Sequence, residues 1–142
     1  MNGLILHMLL FAVVTPTNLD QVKAEPNLER RARAAVDFAA AAEKDSESAY
    51  SGGDIEGTRA AIRAMLQAVE LARESFQQSG LTSGRNVRPY KYAELKVREL
   101  LVRLSNLDRK MDDDDRPMLD LARARMQEIH DEWFEGIMGR RK

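Results

Sequence analysis

The apolar positions of this chain form one unbroken run followed by four periodic stretches. The run is Leu4 to Val14 (LILHMLLFAVV), with His7 its one ionisable side chain. It has no polar face, so it does not read as an amphipathic surface helix. Beyond it the spacing becomes helical, with apolar residues recurring every three or four positions. From Asn27 to about Ser51 the stripe is Leu28, Ala32, Ala35, Ala39, Ala42 and Ala49, with Val36, Phe38 and Tyr50 beside it. Such small side chains let a neighbouring helix approach closely. Pro26 suits a helix start, where its missing N–H is no loss, and Ser51-Gly52-Gly53 suits a stop.

Asp54 is a good cap for the second stretch, which repeats Ile55, Ile62, Val69 and Phe76 every seven residues, with Met65 and Ala72 between, and closes at Gly80. The segment LTSGRNVR, residues 81–88, reads as the longest loop between helices. Pro89 is expected to open the third helix, whose seam is Tyr90, Val97, Leu104 and Met111, with Ala93, Leu100 and Leu107 between. Glu94 with Arg98, and Glu99 with Arg103, stand in the favourable acid-first order four residues apart. The fourth stretch carries Leu119, Ala122, Met126, Ile129, Trp133 and Ile137, and Gly136 and Gly139 loosen its end. The helices are thus expected at about residues 27–51, 54–79, 89–111 and 115–138.

Four amphipathic segments joined by short links predict an all-α fold, an antiparallel up-down four-helix bundle preceded by an apolar leader. Two helical hairpins stacked as a solenoid fragment are the alternative. Tyr50 with Gly53-Asp54 resembles the inter-helix turn of tetratricopeptide repeats, over that turn alone. The repeat of roughly 34 residues that defines those solenoids does not recur.

The run Leu4–Val14 has the length of a signal-peptide core and is short for a bilayer span, which needs about 20 apolar residues. Val22-Lys23-Ala24 offers suitable residues for cleavage after Ala24, although no Lys or Arg precedes the run. Residues 1–24 therefore read as a signal peptide and 25–142 as a single four-helix domain. A first core helix and an uncleaved anchor are the other readings of the run. The expectation is an exported protein, periplasmic or secreted, whose membrane contact is confined to the leader.

Composition narrows the chemistry. The 142 residues carry 22 Lys and Arg against 23 Asp and Glu, a net charge of −1, which lacks the basic excess of a dedicated nucleic-acid binder. There is no cysteine, which removes disulfides, thiolate metal sites and cysteine nucleophiles. His130 is flanked by Glu128, Asp131, Glu132 and Glu135, but the Glu-x-x-His pair of a carboxylate-bridged metal bundle is missing, because position 127 is Gln. These carboxylates read as a solvated acidic face. Asp112 to Asp115 lacks the alternating ligands, glycine and terminal glutamate of an EF-hand loop, and reads as a loop and helix cap. No serine has a catalytic partner motif, and no phosphate-binding glycine loop occurs.

What remains is a basic patch. Arg85, Arg88 and Lys91, with Tyr90 and Tyr92, gather at the loop that opens the third helix, and a loop held by a rigid scaffold is a frequent contact surface. The sequence is therefore read as a non-enzymatic exported interaction or scaffold protein, without cofactor or metal. It would act through a protein partner or self-association, and not through specific nucleic-acid binding. An envelope stress or chaperone-like bundle and a metal-binding carboxylate bundle are the alternatives.

Overall fold

A computed structural model describes residues 18–139. The apolar run Leu4–Val14 and the Arg140-Arg141-Lys142 tail lie outside the described residues, and so does the leader reading of that run. Among the described residues the chain is all-helical: α1 Leu19–Lys23, α2 Leu28–Ser51, α3 Ile55–Ser79, α4 Val87–Lys110 and α5 Pro117–Gly139. No helix among them is long and apolar enough to cross a membrane.

The helix ends follow local chemistry. Asn27 caps α2 by accepting from the Arg30 amide at 2.9 Å, and Asp54 caps α3 by accepting from the Gly57 amide at 2.8 Å. Gly80 closes α3 in the left-handed conformation, φ 72°. The third long helix begins at Val87 and not at Pro89. Pro89 takes the third position of the first turn, where an amide has no intrahelical acceptor either, so its ring costs no hydrogen bond. The fourth long helix begins at Pro117, because residues 112–116 are held in a turn by Asp115 and Arg116 amides that donate to the Asp112 carbonyl.

Sequential helices alternate in direction, α2 with α3 and α4 with α5 forming antiparallel hairpins. Their mutual packing differs from a simple ring, in which α3 would lie beside α4. Here α2 lies along α4 and α3 lies along α5. Both of these pairs run parallel. Along α2 and α4 the contacts progress from Asp37–Tyr92 through Glu43–Arg103, and beyond both helix ends Tyr50 meets Asp112. Along α3 and α5 they progress from Glu70–Arg125 through Arg73–Glu132 to Phe76–Trp133. The chain crosses the diagonal of the four-helix packing through residues 80–86, and the contacts are those of two stacked hairpins. These contacts join residues of different hairpins, and no seven-residue seam encodes them.

The seams form the core. Ala32, Ala35, Ala39 and Ala42 are buried and seat α2 against α3, the most extensive helix contact in the molecule. Ile62, Val69, Phe76, Val97, Leu104, Met111, Leu119, Met126, Ile129 and Trp133 are buried as their spacing predicts. At one end of the core Phe76 stacks on Tyr90 with ring centroids 4.1 Å apart, and Trp133 meets both rings edge-on at 5.7 and 6.2 Å. The core also extends across the boundary expected at Ala24. Val22, in α1, is 1% exposed and packs with α2 and α3, whereas Ala24 is exposed in the turn that follows.

One core position breaks the pattern. Glu43 is 0% exposed on the inner face of α2, with both carboxylate oxygens lacking a hydrogen-bond partner. Arg103 lies 3.7 Å away and half outside. Burial, and the Glu47 carboxylate one turn on, push the Glu43 carboxyl up to about 7.

Candidate functional site

Parallel packing of α2 and α4 brings the starts of both helices to the same end of the molecule. The first turns of α2 carry Arg30, Arg31 and Arg33, and those of α4 carry Arg88 and Lys91, with Arg85 in the preceding loop. A helix start bears partial positive charge, so cations there are locally unfavourable. In α4 no acidic residue occupies the first turn. Its cap position offers no relief: the Asn86 side chain makes no cap bond and instead accepts from the Thr82 amide at 3.2 Å.

The loop that carries Arg85 is nonetheless fixed. The Arg85 and Asn86 amides both donate to the Thr82 carbonyl, at 3.2 and 2.8 Å. Tyr90 donates its hydroxyl to the Leu81 carbonyl at 2.8 Å. Ser83 packs on α5 at Gly136, where a Cβ would stand 1.7 Å from the Ser83 Oγ, so this position needs glycine for close approach. The sequence reading of Gly136 as a loosened helix end gives way to this contact.

Two adjoining grooves result. One, of about 680 Å³, is lined by Arg85, Arg88, Lys91 and Tyr92 with Leu81 and Pro89. The other, of about 250 Å³, is lined by Arg30, Arg33, Arg88 and Tyr92 with Phe76 and Pro89. Glu29 is the single carboxylate on both. Arg30, Arg33, Arg85, Arg88 and Lys91 make no ion pair among the described residues. Arg33 lies over the Tyr92 ring at 4.1 Å, Lys96 lies 5.8 Å from the same centroid, and the Tyr92 hydroxyl donates to Asp37 at 2.6 Å. Burial first, and then Asp37, raise the Tyr92 hydroxyl above its ordinary value.

Of the five residues expected at this surface, the structure brings four together: Arg85, Arg88, Lys91 and Tyr92. Tyr90 is not available there; it is 6% exposed and belongs to the aromatic cluster beneath. Arg30 and Arg33 come from α2, some fifty residues away along the chain. The sequence did carry a sign of them, the Arg-Arg-x-Arg run at a helix start where acids are favoured.

Most of the other candidates are drawn into internal pairing. Glu132 takes both an Nε and an Nη2 bond from Arg73, at 2.7 and 3.2 Å, and Glu128 pairs with Arg125 at 3.0 Å. Glu94 makes the expected pair with Arg98, and it is also buried and bonded to His130 Nε2 at 2.9 Å. Asp131 accepts from Gln127 at 2.8 Å and lies 3.1 Å from His130 Nδ1; these two partners hold its carboxyl below the usual range. Among the described residues no three His, Asp or Glu side chains stand where they could hold a metal ion. In the aspartate run, Asp113 pairs with Arg116 and Asp115 accepts from the Tyr50 hydroxyl at 2.9 Å, which itself accepts from the Asp112 amide. No known protein family, curated protein or solved structure matches this chain.

Proposed function

We propose that the protein is a non-enzymatic binding module that takes an acidic polypeptide segment at the shared start of α2 and α4. In the setting expected from Leu4–Val14, that partner is met outside the cytoplasm. The observation that carries the reading is the set of five cations without ion pairs around Tyr92, whereas the other arginines among the described residues are mostly paired. A spread of cations suits an extended, multiply charged ligand better than a single anionic group, and steers its approach. Single-stranded nucleic acid is a poorer match. It stacks its bases on open aromatic faces, whereas Tyr92 has Arg33 and Lys96 over its ring and Tyr90 is buried.

The test is fluorescence anisotropy with a labelled glutamate-rich peptide, a lysine-rich counterpart and an oligothymidylate strand. The reading expects salt-sensitive binding of the acidic peptide alone, weakened roughly tenfold or more by Arg85→Glu with Arg88→Glu. Both side chains are exposed, so circular dichroism should be unchanged. An acidic peptide that does not bind, or that binds the double variant equally well, refutes it.

A further inference from the structure

Lys91 and Val87 line the larger basic groove and also a third groove, of about 350 Å³, that runs between α4 and α5. The character of the surface changes across them. Beyond Lys91 the lining is Leu95, Phe134, Ile137 and Met138, with Arg98 beside them. Leu95 is 46% exposed, Phe134 38% and Met138 39%; these are three of the five large apolar side chains exposed among the described residues. Clustered exposure of this kind marks a contact surface more than the same residues scattered singly would.

The patch is also held rigid. Phe134 stacks on His130 with centroids 5.9 Å apart and planes 13° apart, and the Arg98 guanidinium lies 5.7 Å from the Phe134 centroid. His130 and Arg98 are both tied to the buried Glu94 carboxylate. Phe134 therefore stays presented at the surface. Tyr92, on the basic side, has Arg33 and Lys96 near its ring and its hydroxyl bonded to Asp37.

We propose that the partner segment is amphipathic, its acidic stretch lying on Arg85 and Arg88 and its adjoining apolar stretch lying on Leu95, Phe134 and Met138. This rests on the acidic-peptide reading and adds the second half of the ligand. Charge complementarity selects the acidic stretch, and the continuity of the two grooves through Lys91 places the apolar stretch next to it on the same segment. A polypeptide is favoured over an acyl lipid because the cations are spread over two helices and two adjoining grooves, Lys91 and Arg88 from α4 and Arg30 and Arg33 from α2, which suits a chain carrying several carboxylates in succession.

The full chain is titrated with two labelled peptides that share a glutamate-rich half and end either in leucine and phenylalanine or in serine. The amphipathic peptide should bind roughly tenfold tighter, the gain from covering the exposed apolar surface. Leu95→Ser with Met138→Ser should abolish that advantage while leaving the serine-ended peptide unaffected; both positions are partly in solvent, so the fold is retained. Equal binding of the two peptides, or an advantage that survives the serine variant, overturns the amphipathic assignment and leaves the acidic groove standing. If neither peptide binds, the functional reading itself fails. Vesicles containing phosphatidylserine serve as the competing ligand: tighter binding to them than to either peptide, lost in the serine variant, would overturn the polypeptide in favour of a lipid surface.

Discussion

The two ends of the helix packing use charge in opposite ways. At one end α3 and α5 begin, and the aspartates there serve the fold: Asp54 caps α3, Asp113 pairs with Arg116, and Asp115 is tied to α2 through Tyr50. At the other end α2 and α4 begin; among the described residues Arg30 and Arg33 on α2 and Arg88 and Lys91 on α4 make no ion pair, and whereas α2 keeps Glu29 in its first turn, α4 has no acid in its own. The first end obeys the preference of helix starts for negative charge, and at the second the start of α4 violates it. Local rules are broken where function requires it, so the violating end is the more informative one. Yet in the sequence the aspartate run is the more conspicuous feature.

The comparison can be broken first at its foundations. The basic end stands on Phe76, Tyr90 and Trp133, which join three helices. Trp133→Ala should cost about 3–5 kcal/mol in chemical denaturation, as expected when a large buried ring is removed. A cost near zero would mean that the basic end is not supported by this cluster.

Glu43 lies between the ends and tests the core that both share. Its carboxyl titrates near 4.5 when unfolded and at about 7 when folded. Below 4.5 both states hold the proton and there is no penalty. Between 4.5 and 7 the unfolded state releases it first, so stability falls as pH rises, and above 7 the loss is complete. Glu43→Gln should therefore stabilise the protein on the order of 3 kcal/mol at pH 8 and scarcely at all near pH 4. Denaturant midpoints across that range would show a curve for the native chain and a flatter one for the variant. Identical slopes would mean that Glu43 does not titrate in this window.

At the acidic end, Tyr50→Phe removes the hydroxyl that donates to Asp115 and accepts from the Asp112 amide. The expected result is a Tm lower by a few degrees, with binding of an acidic peptide unchanged, because the two ends are separate. A change in peptide affinity would show that the ends communicate.

The balance between legible and hidden features has a physical basis. The seams were legible because each helix must bury one stripe, and Ile62, Val69, Phe76, Val97 and Leu104 lie in the core as their periodicity requires. Asp54 and Gly80 were legible because a cap is a local event. Which helices lie side by side was not, since the residues that meet across the hairpins, among them Asp37 with Tyr92, Arg103 with Glu43 and Arg73 with Glu132, are widely separated in the chain. For the same reason only the α4 half of the basic surface could be named, and Tyr90 was placed on it although its seam position buries it. The Glu94–Arg98 pair was legible as a local spacing, whereas the bond from Glu94 to His130 was not, because His130 comes from another helix. Glu43 could have been suspected, standing four residues after Ala39 and three before Ser46 on the buried face of α2.

The smallest expected energy carries the central claim, that the α2–α4 end gives up local stability to receive an acidic segment. Arg88→Glu places a favoured charge at a helix start and should gain about 0.3–1 kcal/mol. The decisive measurement is a set of thermal melts of the native chain and this variant, each with and without saturating glutamate-rich peptide. The account predicts that the variant alone melts higher than the native chain, and that peptide raises the native Tm markedly and the variant Tm little. A native Tm unmoved by peptide, or a variant that melts lower on its own, would contradict it.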